Sequence, residues 1–508
     1  VNPGDTAPPV FNPAFLPLVI TTAAVIGAVL FAPESVSAYA QGFSNRFVAR
    51  WDLFYIHAIN ALALATFLIA LSPLGRIRVG GPEARPEFSL ISWIGMIFTS
   101  AMGGSLIGFS VYEPLEHLEH ARLLFGPGNA EQAHAVALAV FMWGFHGWGP
   151  WALLAAAFAY ASYNRGAPFG FAGIAVLLVP ERSPRTRRFV GGAGDYAGVL
   201  ASWLSGSVGI ALICQQVAGG FIDRGGLATP VEALAPLVAA VMGASFIAIA
   251  LTGLKDGIAR ISRLNFFLAH LYLAAVFLLS NPLALLGDLV SAFLVYFKVV
   301  VALPFLVTGT ESEAVREFRR VWPASFMIWW LGMSVLLSAY YARISYGRTV
   351  REVLLVITVV PTALMAIWFA VMGGAAADML ERVPTLLDNL RPSQTVYAFV
   401  RELPVGAFFA TFALALSLLF LLSTGAPIVY VFAEFMYESL ATPSRRTVLF
   451  WGVAYGATIT LVSGQSSVVA MQQLALSIAI PFSLLLLTLA LALCVRGLRA
   501  LRSPPGAA

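Results

Sequence analysis

AHAVALAVFMWGFHGWGPWALLAAAFAYAS, from Ala133 to Ser162, contains no Asp, Glu, Lys or Arg. A helix crosses the hydrocarbon of a bilayer in about 20 apolar residues. The stretch therefore reads as a membrane span, and at its centre lies WGFHGWGPW, Trp143 to Trp151. On an unbroken helix Trp148 and Trp151 would lie about 60° apart, and Trp143 about 140° from Trp148 and about 80° from Trp151. Gly147, Gly149 and Pro150 are candidates to bend the helix and widen this aromatic surface. Indole faces attract a cation without demanding a hydrogen bond, so the cluster suits an onium head. An interfacial aromatic belt is the competing reading.

The rest of the chain agrees with a membrane setting. Of 508 residues, 59% are hydrophobic and 11% charged, with mean hydropathy +0.84. A soluble chain carries roughly 25% charged residues. Twelve candidate spans have cores at 14–32, 52–72, 88–112, 133–162, 195–218, 235–253, 263–281, 324–342, 350–373, 402–426, 446–464 and 472–495. The first lacks a basic start and is followed by an equally apolar second, which argues against a cleaved signal. With the N-terminus inside, nineteen of the 30 Lys and Arg residues fall on the inner side, counting the tail residues Arg496, Arg499 and Arg502. That bias places both termini in the cytoplasm. The formal charge of +5 is a topology signal, and no contiguous basic face suggests nucleic acid. The tail is short and basic, suited to anionic lipid.

Few residues offer other chemistry. Cys214 and Cys494 are the two cysteines, and neither fits a disulfide or metal spacing. His117 and His120 lack a third ligand, which favours a surface pair. Glu113, His117 and His120 are the nearest approach to a reactive grouping, but they equally suit a helix end. There is no phosphate-loop, dinucleotide or HExxH motif. A channel would need a continuous polar pore, which the bulky indoles oppose. The missing motifs argue against an ATP-driven pump with its motor on this chain. Asp52 and Glu113 sit near span edges, leaving no obvious intramembrane carboxylate for proton coupling.

Small residues mark where helices can open. AMGGSLIG at 101–108 puts adjacent glycines inside the third span; a broken helix and tight small-residue packing are both open readings. Ser423, Thr424, Gly425 and Ala426 precede Pro427 in the tenth span. Their hydroxyls suit sodium, or bond back to their own helix. The stretch LLGDLVSAFLVYFKVVVALPFLV, near 285–307, is long enough to span, yet Asp288, Lys298 and the following ESEAVREFRR favour a helix lying on the outer surface.

Five segments together carry a resemblance. They are WWLGMSVLLSAYYARISYGRTVREV at 329–353, SWIGMIFTSAMGG at 92–104, YEPL at 112–115, TGLKDGIARISRLN at 252–265 and WGFHGWGPW itself. Over roughly 50–495 the chain resembles the betaine/carnitine/choline transporter (BCCT) family. The resemblance implies an all-α integral membrane protein of twelve transmembrane helices. Its fold would be LeuT-like, a five-plus-five inverted repeat preceded by two extra N-terminal helices. On this chain, 1–508 would be a single transporter domain, with the extra helices in 1–87 and the first repeat in 88–281. The amphipathic outer helix would be 284–307 and the second repeat 324–495. A homotrimer in the bacterial cytoplasmic (inner) membrane is implied as well.

The same resemblance implies a function and its residues. The expected activity is sodium-coupled import of a betaine-type or other onium compatible solute by alternating access. The alternatives are a sodium-independent exchanger or a proton symporter for carnitine, choline or a related zwitterion. Matching motifs places the substrate at Trp143, Trp148, Trp151 and Trp330, with Met102, Gly103, Gly104 and Ser105 toward its carboxylate. Ser105 adds a hydroxyl or narrows the site. Trp329 and Met333 would be peripheral. Sodium would meet the carbonyls of Thr99 and Met102 and the hydroxyls of Ser423 and Thr424, near Phe420; no other cofactor is implied. Departures are visible. Trp151 stands where tyrosine is frequent, Met327 and Met333 replace tryptophans, Val335 replaces a proline, and Gly425 and Ala426 interrupt a polar continuation. Helix 5, Ser205 to Gln216, has no Lys or Arg to stand in for an ion.

Overall fold

The computed structural model describes residues 12, 15–102, 105–128, 131–306, 312–386, 390, 392–435 and 442–502. Among them the secondary structure is helical, apart from one isolated antiparallel bridge between Arg78 and Thr349. Among the described residues eight helices are long and apolar enough to cross a membrane, or up to ten spans if each of two bent pairs counts as one. Seven of the eight fall on expected spans: Pro33–Leu71, Pro184–Gly225, Val231–Leu251, Leu254–Leu279, Val350–Arg382, Gly406–Phe435 and Ser467–Ala492. The remaining expected segments are helical but shorter or divided. Phe15–Phe31 has 17 residues, and Arg445–Val462 has 18 with two arginines at its start.

The eighth long helix is Pro282–Phe305, the segment expected on the outer surface. Its buried residues, Leu285, Ala292, Tyr296, Val299 and Leu303, form one stripe. The opposite side is not polar, because Leu283, Leu286, Val290, Phe293, Phe297 and Val301 are exposed there. An amphipathic helix shows a polar face; the polar side chains outside the buried stripe here are few, Asp288, Ser291 and Lys298.

Three spans break, each with a local cause. The third bends by 61° between Leu90–Met102 and Leu106–Phe125; Gly103 and Gly104 lie between them, outside the described residues. The eighth bends by 54° between Glu313–Gly332 and Ser334–Ile344. Its freed Gly332 carbonyl accepts a hydrogen bond from Ser202 Oγ at 2.8 Å, on the fifth span. A buried carbonyl without a partner costs about 1–3 kcal/mol, so this contact is what makes the break tolerable.

The fourth span divides at Gly144, between Glu131–Trp143 and Phe145–Ala159. The unbroken-helix geometry for the three tryptophans therefore does not hold, and Gly147, Gly149 and Pro150 lie inside a regular helix. Gly144 has ψ −137°. A Cβ there would meet Val140 O at 2.5 Å and the Tyr296 hydroxyl at 2.8 Å. The tenth span shows the reverse. Pro427 sits within the continuous helix Gly406–Phe435 and breaks nothing. Proline in a membrane helix is tolerated where neighbours re-satisfy the backbone.

The ARISYGRTVRE segment clamps the start of the third span. Arg348 donates to Phe88 O at 2.8 Å and lies 4.7 Å from the Trp93 ring centroid. Trp93 Nε1 donates to Ser345 Oγ at 3.1 Å. Thr349 and Glu352 form a reciprocal capping box that starts the next helix, a motif that satisfies two orphan donors at once. Arg351 Nε donates to Ala70 O at 2.8 Å. Arg343 lies 3.1 Å from Glu87 and 3.3 Å from the fully buried Glu434. Gly347 has φ +79°, and a Cβ there would strike the Arg85 backbone at 2.1 Å, so glycine is required.

Candidate functional site

The four expected indoles form one contact cluster. Ring centroids lie 4.4 Å apart for Trp151 and Trp330, 5.4 Å for Trp148 and Trp151, 5.7 Å for Trp143 and Trp330, and 6.0 Å for Trp148 and Trp330. The cluster is possible because Gly147 faces Trp330. A Cβ at 147 would sit 2.7 Å from that ring. Contact this close leaves no room for a trimethylammonium group between Trp151 and Trp330. Space lies to one side instead. A cavity of about 70 Å³ is bordered by Trp143, Trp151 and Trp330, by Phe109, Phe326, Trp329 and Met333, and by Ser100, Ser202 and Thr424. Trp148 is not on its wall; it is fully buried behind the others. Among the described residues none of the lining side chains is charged.

Three of the four indole N–H groups are engaged within the protein. Trp148 Nε1 donates to Trp143 O at 2.9 Å, and Trp151 Nε1 to Trp330 O at 2.9 Å. Trp143 Nε1 donates to Glu113 Oε2 at 2.6 Å. Ring faces, not donors, are what these three indoles offer, and such faces attract an onium head by cation–π interaction. Ser338 Oγ ties the two elements further by donating to Trp151 O at 3.1 Å.

The expected ion ligands meet beside this cavity. Thr424 Oγ1 lies 3.1 Å from Thr99 O and 2.9 Å from Phe420 O. Ser423 Oγ lies 3.4 Å from Thr99 O and 3.0 Å from Phe420 O, and accepts from Asn265 Nδ2 at 2.9 Å. Bonding back along the helix and reaching across to the third span thus occur together. Two hydroxyls carry two protons and converge with two carbonyl oxygens, all neutral. Hard cations are held by such oxygen sets. Met102 is buried in the same third-span segment. Gly103 and Gly104 lie outside the described residues, and of Ser105 only the helical backbone is described. Among the described residues no group of three His, Cys, Asp or Glu side chains is placed to hold a metal.

A family model, BCCT, betaine/carnitine/choline family transporter, matches residues 13–502. This chain belongs to that family. It is a secondary transporter of the BCCT family, a multi-pass helical membrane protein and not an enzyme. Among its relatives is a glycine betaine transporter of Bacillus subtilis, 27% identical over 92% of this chain and 91% of its own. A glycine betaine/proline/choline/ectoine transporter of Vibrio parahaemolyticus is 28% identical over 96% of this chain and 87% of its own. A betaine/ectoine transporter of Corynebacterium glutamicum is 28% identical over 91% and 73%.

Sequence reasoning missed several parts of this BCCT site. Glu113, expected near a span edge, is 1% exposed and bonded to a cavity-wall indole. Phe109 and Phe326 line the cavity beside it. Their spacing was the available signal: Phe109 precedes Glu113 by four residues, and Phe326 precedes Trp330 by four, which puts each pair on one helix face. His117 is likewise no surface residue. It is fully buried, 4.5 Å from the Trp322 ring centroid, with His120 Nδ1 3.2 Å from its own Nδ1. Asp52, also expected at an edge, is buried and pairs with Arg319 at 2.8 Å.

Proposed function

We propose that this BCCT transporter imports a betaine-type or other onium compatible solute, coupled to sodium. One observation carries the reading. A cavity walled by Trp143, Trp151 and Trp330, in which the Trp143 and Trp151 N–H groups are engaged within the protein, shares Thr424 with a convergence of neutral oxygens. The solute head lies against the ring faces, with Trp148 as backing and Trp329 and Met333 toward the periphery. The segment Met102 to Ser105 meets its carboxylate. Sodium sits among Thr99, Met102, Ser423 and Thr424, near Phe420. Because the third and tenth spans supply the ion ligands and also border the cavity, ion and solute each favour the same arrangement of spans. By linkage each strengthens the other's binding by the same factor.

The fuller architecture is part of this proposal. Twelve spans, with two extra helices in 1–87 and five-helix repeats in 88–281 and 324–495, rock around the site in alternating access. The 284–307 helix lies outside the repeats and, through its exposed apolar face, contributes to a homotrimer. Both termini are cytoplasmic, in a bacterial inner membrane. Relatives whose names include betaine, choline, proline and ectoine support a small zwitterionic or quaternary-ammonium solute.

The test is uptake of labelled betaine, choline and carnitine into proteoliposomes under separate sodium, proton and solute gradients. Accumulation driven by an inward sodium gradient is the expected result. Uptake driven only by preloaded solute would make the protein an exchanger; uptake driven only by protons would make it a proton symporter.

A further inference from the structure

Trp143 differs from Trp148 and Trp151 in what holds it. Trp148 and Trp151 donate their N–H groups to main-chain carbonyls. Trp143 donates to a carboxylate oxygen, Glu113 Oε2, at 2.6 Å. A neutral acceptor suffices for an indole N–H, as its two neighbours demonstrate. A carboxylate in this position carries a desolvation cost that a carbonyl or an amide does not. Glu113 is 1% exposed, and among the described residues it forms no ion pair with Lys, Arg or His. The carboxyl group is therefore buried without a cation of the protein's own.

Its placement supplies one from outside. Phe109, one turn before Glu113, and Trp143 both line the cavity, with ring centroids 5.9 Å apart. The carboxylate lies behind them, one indole from the cavity, and the cavity wall itself has no charged side chain among the described residues. An indole hydrogen-bonded to an anion also presents a more electron-rich face, which strengthens its attraction for a cation. Both effects act on the same onium head.

We propose that Glu113 is the counter-charge of the substrate cavity, a residue that acts by its charge across the ring at position 143 and biases recognition toward solutes with net positive charge. This rests on the aromatic cavity being the onium site. A zwitterion gains less than a monovalent cation, because its own carboxylate is repelled by Glu113. Choline and glycine betaine carry the same trimethylammonium head and differ in that charge, so their ratio of affinities reads the effect.

Equilibrium binding of labelled choline and glycine betaine to the purified full chain in lipid nanodiscs tests this. E113Q keeps an acceptor for the Trp143 N–H and removes the charge. It is expected to weaken choline by about tenfold, a modest Coulomb attraction across one indole, and betaine by about threefold or less. W143F removes the N–H that Glu113 holds, so in that background a merely structural Glu113 has nothing left to do. Choline affinity is still expected to fall about tenfold from W143F to W143F/E113Q, which keeps the test alive if E113Q alone does not fold. Equal affinities with and without the carboxylate in that background, or equal losses for the two ligands, would overturn the proposal. Wild-type protein that binds neither ligand would instead refute the onium cavity itself.

Discussion

The eighth span is built in opposite ways beside its break and at its Arg343 end. Near Phe326, Trp330 and Met333 the chain borders a cavity with rings, methyl groups and neutral hydroxyls. At Arg343 to Glu352 it is knotted by guanidinium groups, carboxylates and a capping box. Ring contacts are individually weak and non-directional, so a solute of similar polarity can replace them. Charged groups in a buried knot cannot exchange partners without exposing an unpaired charge. The first end is suited to binding and release. The second is suited to holding Glu87, Phe88 and Trp93, and with them the start of the third span, in one position.

The strongest way to break this contrast is at the knot. Arg343 stands 3.3 Å from Glu434, whose carboxylate is wholly buried and has no hydrogen-bond partner among the described residues. R343A is expected to cost about 3–5 kcal/mol, read as lowered thermal stability in detergent. R343A/E434Q should recover a large part of the loss. A single variant as stable as wild type would mean that the knot is not rigid.

The cavity end should respond in binding rather than in folding. W330A is expected to weaken solute binding by about 1–3 kcal/mol, roughly 5–150-fold, including lost packing. Unchanged affinity in the purified protein would remove Trp330 from the site. A smaller effect is expected at Thr424, whose hydroxyl reaches two carbonyl oxygens. T424A should raise the sodium concentration for half-maximal uptake by up to about tenfold, on the order of one hydrogen bond, with little change in recognition of the solute head. An unaltered sodium response would place the ion elsewhere.

The smallest effect tests the knot's edge. Lys255 pairs with Glu87 at 3.2 Å, but its side chain is 64% exposed. After discounting for solvent screening, K255A should cost no more than about 0.5 kcal/mol. Glu87 is shared by Lys255 and Arg343, so the difference between K255A and R343A isolates burial from charge. Comparable losses in the two would show that burial does not govern the knot.

That the candidate residues would lie together was partly legible in the sequence, for a definable reason. Trp143, Trp148 and Trp151 lie within nine residues, and Ser423 and Thr424 are adjacent. Their types and spacing announce rings for a cation and hydroxyls for a hard ion before any folding is considered. Glu113 was not legible as a site residue. It looks like a span-edge carboxylate until Trp143, from a different helix, arrives with its N–H. His117 and Asp52 were misplaced for the same reason. Distance along a span says little about burial when another helix covers that end.

The sequence alone determined a helical membrane chain, because uninterrupted apolar runs in lipid must satisfy their backbone within a helix. It also announced glycines and prolines as places where helices open. Which of them open was decided by tertiary contacts. Gly144 breaks the fourth span where Val140 O and the Tyr296 hydroxyl leave no space for a Cβ. The eighth span breaks where Ser202 Oγ donates to the freed Gly332 carbonyl. Pro427 stays inside its helix, with Ser423 and Thr424 reaching across to Thr99. A helix breaks where a neighbour can take up the freed polar groups, and that neighbour is distant in the sequence.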